Sequence, residues 1–113
     1  MKLVALAATV AALAAPAALA STPTLKGTVG PGFTITLTQN GAKVKTLKAG
    51  TYVFKIADKS NIHDFHLTGP GVNKKTSVGA VTNVTWKLTL KKGTYKYVCD
   101  PHASLMKGSF KVV

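Results

Sequence analysis

The sequence predicts an all-β protein, a β-sandwich of seven or eight short strands behind a removable leader. Three observations carry this expectation. Apolar and polar residues alternate with period two along nearly all of the chain after residue 20, turn signals separate the alternating runs, and no stretch has helical period. The length of 113 residues admits one domain.

The leader spans residues 1–20, MKLVALAATVAALAAPAALA, of which 17 are hydrophobic. Lys2 supplies a short basic start, Leu3 to Leu19 an apolar stretch, and Ala18-Leu19-Ala20 a small-x-small cleavage site, the pattern of a secretory signal peptide. A membrane span takes about 20 apolar residues with polar flanks, whereas this stretch is shorter, rich in Ala and interrupted by Pro16. The expected mature domain is therefore 21–113, exported to a periplasmic or extracellular location.

The elements follow in order. Phe33, Ile35 and Leu37 alternate with Thr34, Thr36 and Thr38, and Asn40-Gly41 supplies a hairpin turn. Val44 and Leu47 form a short return strand that stops at Ala49-Gly50. Tyr52, Phe54 and Ile56 make the next inward row, up to the polar loop Asp58-Lys59-Ser60-Asn61. His63, Phe65 and Leu67 share one face of the following strand, with Asp64, His66 and Thr68 on the other. Residues 69 to 82, opened by Gly69-Pro70-Gly71, are long enough to cross between sheets. Val84, Trp86, Leu88 and Leu90 form another buried stripe, Lys92-Gly93 turns the chain, and Tyr95, Tyr97 and Cys99 form the next. Residues 108–113 close the fold.

The charge is one-sided: 15 lysines, no arginine, no glutamate and three aspartates give a formal net charge of +12. Without Lys2 the mature domain keeps +11. The lysines are scattered rather than run together, which describes a solvated surface. Nucleic-acid binding is a poor reading because arginine, a basic helix and a stacking-aromatic motif are all missing.

An exported chain with a single cysteine must pair it between chains, bury it or use it to bind something. Period-two parity makes His63 and Cys99 end residues of inward rows, so both can meet at one end of the sandwich. The segment Cys99-Asp100-Pro101-His102-Ala103-Ser104-Leu105-Met106 adds a second imidazole and a thioether within one loop. One thiolate, two imidazoles and a distant thioether form the ligand set of a blue-copper electron-transfer site. Zinc takes four strong N or S ligands in structural sites, for which a thioether is a poor substitute. A c-type haem would need a second cysteine.

The segments Asn61-Ile62-His63-Asp64-Phe65-His66-Leu67 and Tyr97-Val98-Cys99-Asp100-Pro101-His102-Ala103-Ser104-Leu105-Met106-Lys107-Gly108 resemble the two copper-binding segments of the plastocyanin/azurin family, the small cupredoxins. The resemblance covers residues 25–113. It implies an eight-stranded Greek-key sandwich, one type 1 copper ion at one end, and one-electron shuttling between redox proteins. It also implies His63, Cys99, His102 and axial Met106 as the metal ligands. One departure stands out: the family often has Asn after the first His, where its side chain ties the two copper loops together, and this chain has Asp64. A carboxylate keeps that tie only where its partner is a donor. Strand parity turns His66 away from His63, so it is expected as a surface histidine.

Catalysis finds no support. Copper oxidases of this fold need additional clustered histidines, and only three are present. The expected function is that of an exported single-electron carrier, with copper storage, delivery or tolerance as the alternative and a metal-free binding module as a third reading. The expected partners are acidic redox proteins docking transiently near His102, with an anionic envelope surface as a second candidate and the protein itself a monomer.

Overall fold

The computed structural model describes residues 21–113, so the expected leader lies outside the described residues. Ten strands form two five-stranded sheets. They are β1 (Thr24–Val29), β2 (Ile35–Gln39), β3 (Ala42–Lys43), β4 (Thr46–Leu47), β5 (Gly50–Asp58), β6 (His66–Gly69), β7 (Val72–Lys75), β8 (Thr82–Leu90), β9 (Gly93–Val98) and β10 (Lys107–Val112). The first sheet has the order β3-β2-β1-β5-β8 and the second β4-β10-β9-β6-β7. Pairing is antiparallel except for β1 with β5 and β4 with β10. This is the expected all-β sandwich. The count exceeds the expected seven or eight for three reasons. Residues 42–47 make two two-residue strands, one in each sheet, and β1 precedes the first expected run. β7 lies within residues 69–82, the expected connection, which crosses between the sheets only at 76–81.

That segment seals one side of the sandwich. Lys43 pairs with Thr38 of the first sheet, and four residues later Leu47 pairs with Val112 of the second. The opposite side is open, with β8 and β7 as outer strands and residues 76–81 crossing between them. The open side explains why Val84, Trp86 and Leu88 are only half-buried while Leu90 is buried: their strand has no neighbour on one flank.

Between the sheets lie Leu25, Val29, Leu37, Phe54, Ile56, Phe65, Leu67, Tyr95, Tyr97 and Phe110, each at most 2 % exposed. Tyr95 stacks on Phe110 with ring centroids 5.2 Å apart, and Phe65 on Tyr97 at 5.6 Å. Glycines make room for these rings: a Cβ on Gly69 would overlap Tyr95, and one on Gly108 would overlap Tyr97. The type of contact decides the residue, since only a bare backbone lets a tyrosine ring lie flat against the neighbouring strand.

Two expectations are corrected. Phe33 is not the first residue of the β2 core row: β2 begins at Ile35, and Phe33 is 56 % exposed in the loop before it. Asp64 does not face outward. The strand begins at His66, so the irregular segment before it is free to turn Asp64 inward, where it is 1 % exposed.

Candidate metal centre

Three of the four connections at one end of the sandwich surround the site. Residues 30–34 join β1 to β2, residues 59–65 carry the chain from β5 in one sheet to β6 in the other, and residues 99–106 join β9 to β10. The last of these opens with a one-turn 3-10 helix, Asp100–His102, with Pro101 inside its first turn, where a missing N–H costs nothing. Its backbone is closed by His102 N–H to the Cys99 carbonyl (3.0 Å), Met106 N–H to the His102 carbonyl (2.9 Å) and Cys99 N–H to the Met106 carbonyl (3.0 Å). The loop therefore returns on itself and fixes the backbone positions of Cys99, His102 and Met106 relative to one another.

Three of the expected residues, His63, Cys99 and His102, converge. His63 and Cys99 are fully buried, His102 is half-buried, and the Met106 side chain is fully buried in the same end of the core. The Nδ1 atoms of His63 and His102 lie 3.1 Å apart, and each lies 3.6 Å from Cys99 Sγ. A point equidistant from these three atoms lies about 2.0 Å from each, the length of a bond between imidazole nitrogen and a first-row metal ion. The far side of His63 adds to this: Nε2 is buried without a hydrogen-bond partner, so all polar contacts of that ring are on the side facing the triangle. The donors thus fit a small ion that tolerates one thiolate and two imidazoles.

Electrostatics at the sulfur are set by burial, which raises the Cys99 thiol above its ordinary value, while hydrogen bonds from the Asp64 and His102 backbones pull it down. A metal ion held here would take the place of the thiol proton, so binding would release a proton.

The tie between the two loops survives the departure at position 64 because its partner is a donor: the Asp100 N–H donates to Asp64 Oδ1 at 2.6 Å. Burial is the main reason that the Asp64 carboxyl is raised to about 6, assisted by its hydrogen bond to the Asp100 side chain. Asp100 moves the other way, held low chiefly by that same bond and then by His66.

His66 points away from the triangle, as expected, but it is half-buried and not a free surface group. Its Nδ1 lies 2.9 Å from Asp100 Oδ2 and its Nε2 2.6 Å from Asn73 Oδ1. Burial pulls its pKa down, but the bonds to Asp100 and Asn73 outweigh that and raise it above 6.5. The imidazole thereby fastens the Cys99–Met106 loop to β7. Alternation alone could not show this, because Asn73 and Asp100 are brought to His66 by sheet pairing.

Phe33, like Asp64, stands where sequence reasoning did not place it. Its ring packs edge-on against both imidazoles, 5.3 Å from His63 and 4.9 Å from His102. The signal available was Gly30-Pro31-Gly32 before it, which ends the strand alternation. Gly30 has φ +75°, and a Cβ there would press on His63 and Ser60.

The family of copper binding proteins described as plastocyanin/azurin matches residues 28–113. No curated protein sequence matches the chain. Among solved structures, reduced rusticyanin at 1.9 Å is similar at 22 % identity over 83 % of this chain and 82 % of its own, with a TM-score of 0.59. Rusticyanin from Thiobacillus ferrooxidans is similar at 24 % identity, 80 % and 76 % coverage and a TM-score of 0.55. A rusticyanin mutant reaches 26 % identity with the same coverages and a TM-score of 0.53.

Proposed function

The chain belongs to the plastocyanin/azurin family of copper binding proteins, and from that premise we propose that it is an exported one-electron carrier, not an enzyme, whose single type 1 copper is held by His63, Cys99, His102 and axial Met106. The observation that carries the ligand assignment is the triangle of two imidazole nitrogens and one sulfur around a point about 2.0 Å from each. Copper supplies a change of one electron between two oxidation states.

The chain's own residues supply the rest. His63 and Cys99 are buried and Phe33 covers the imidazole edges, so water is kept from most of the donor set. The closed backbone of the 99–106 loop and the Asp64–Asp100 tie fix the donors before any ion arrives. A preformed donor set moves little when its charge changes, which is what fast electron exchange requires. His102 is the half-buried corner, and its neighbours in the loop, Pro101, Ala103 and Leu105, are exposed, Leu105 to 72 %. With Phe33 they form an uncharged surface through which electrons take the shortest covalent route out. The partner we infer docks by an apolar surface there and is acidic around it, opposite Lys59, Lys75 and Lys107, which are all exposed.

The test is the visible spectrum of the copper-loaded protein. Strong thiolate-to-copper charge transfer is expected, and Cys99→Ser should remove the band while leaving the sandwich folded. A band that persists in Cys99→Ser refutes the site. Copper that binds but exchanges electrons with no small redox protein at a useful rate gives precedence to storage or delivery.

A further inference from the structure

The acidic side chains are confined to one end of the sandwich, whereas exposed lysines stand at both ends. All three aspartates lie at the metal end: Asp58 closes β5, Asp64 precedes β6, and Asp100 follows β9. At the far end, the β4–β5 turn carries Lys48, the β8–β9 turn carries Lys91 and Lys92, and all three are exposed. No acidic side chain accompanies them.

These lysines stand on rigid supports. Tyr52 donates its hydroxyl hydrogen to the Lys48 carbonyl at 2.8 Å, and the Tyr95 hydroxyl accepts from Lys91 N–H at 2.9 Å. Both turns are thus pinned to the core by tyrosines. The Lys91 ammonium lies over the β6–β7 turn, where a Cβ on Gly71 would be 3.9 Å from Nζ. Beside these lysines Gly41, Ala49, Pro70 and Gly71 are exposed and small, and the Val113 side chain, 60 % exposed, adds an apolar contact at the same end.

We propose that this lysine-rich end docks on an anionic phospholipid surface and holds the metal end away from it. The nine-residue strands β5 and β8 connect the two ends, a distance of about 26 Å. An acidic electron-transfer partner bound at the lysine end would be too far from the donor triangle for direct exchange, whereas a bilayer need not approach it at all. At a Debye length of about 8 Å, lysines of the metal end add almost nothing to the attraction once the far end is in contact. The choice of a bilayer over an acidic protein rests on the electron-carrier reading, whereas vesicle binding itself is measured without copper.

The test is partition of the full chain between buffer and vesicles of phosphatidylcholine with and without phosphatidylglycerol, at low and high salt. Binding is expected only with phosphatidylglycerol. The triple substitution Lys48→Gln, Lys91→Gln, Lys92→Gln should weaken it roughly a hundredfold, in keeping with the usual contribution of a lysine at such a surface. The triple substitution Lys59→Gln, Lys75→Gln, Lys107→Gln removes the same charge from the metal end and should weaken it less than fivefold. Equal losses in the two triples would overturn the proposal, because net charge alone would then be responsible. So would the absence of binding by the unsubstituted chain, or equal binding to vesicles without phosphatidylglycerol, which would assign the attachment to the apolar leader. A polyglutamate chain retained through Lys48, Lys91 and Lys92 when vesicles are not would replace the bilayer by an acidic protein.

Discussion

Asp64→Asn in the copper-free protein should raise stability at neutral pH and leave it unchanged in acid. Asp64 is buried and hydrogen-bonds with both the backbone and the side chain of Asp100. Its carboxyl is raised from 3.8 to about 6, so the native state holds the proton more tightly than the unfolded chain does. The associated stability is complete below pH 3.8 and is lost as pH rises to about 6. Above that, ionised Asp64 sits buried beside Asp100, a carboxylate held low and therefore already charged. An asparagine amide imitates the protonated carboxyl: its oxygen accepts the Asp100 N–H and its NH2 donates to the Asp100 carboxylate. At about 1.4 kcal/mol per pH unit, the shift corresponds to about 3 kcal/mol at most, and a gain of about 1–3 kcal/mol is expected at pH 7. Urea unfolding of both proteins from pH 4 to pH 8 reads this directly as a change in midpoint at constant slope. A difference that does not vary with pH, or an asparagine variant less stable at pH 7, would show that Asp64 is not held protonated by its surroundings.

Three further outcomes follow from the same geometry. Met106→Leu should retain copper but raise the reduction potential, because losing a weak axial donor disfavours the oxidised ion; cyclic voltammetry of the loaded protein measures it. Gly69→Ala should destabilise the fold by about 1–3 kcal/mol in thermal unfolding, since the new methyl overlaps a Tyr95 ring already stacked on Phe110. Leu105→Asp should slow electron transfer to an acidic partner about tenfold, equivalent to about 1.4 kcal/mol in docking, in stopped-flow traces at low and high salt alike, while the unsubstituted protein slows only as salt rises.

Much of the metal site could be read from the sequence because its residues come in two short runs whose parity is fixed by the flanking strands. Cys99 continues the inward row of Tyr95 and Tyr97, and the fold buries all three. His63 was in phase with Phe65 and Leu67 for the same reason, even though the strand starts only at His66. Alternation fails where it continues past the end of a strand. Phe33 keeps the parity of Ile35 yet lies outside β2, and Asp64 keeps the parity of an outward residue yet turns in. Partners far apart in sequence were also invisible: nothing local in Asn73 or Asp100 announces that both hydrogen-bond to His66. Half-burial of Val84, Trp86 and Leu88 depends on which strand ends the sheet, a property of topology and not of the strand's own residues.

The donor triangle also changes what the polymer is. His63 lies on the stretch that passes from one sheet to the other, and Cys99 lies 36 positions further along. An ion held by both closes a covalent-like ring of that length in a chain whose single cysteine has no internal partner for a disulfide. By the entropy of ring closure, a cross-link of this span disfavours the unfolded chain by about 4 kcal/mol. The proposed copper ligands therefore act as the missing staple of a small sandwich, and loading the site should raise its stability toward unfolding.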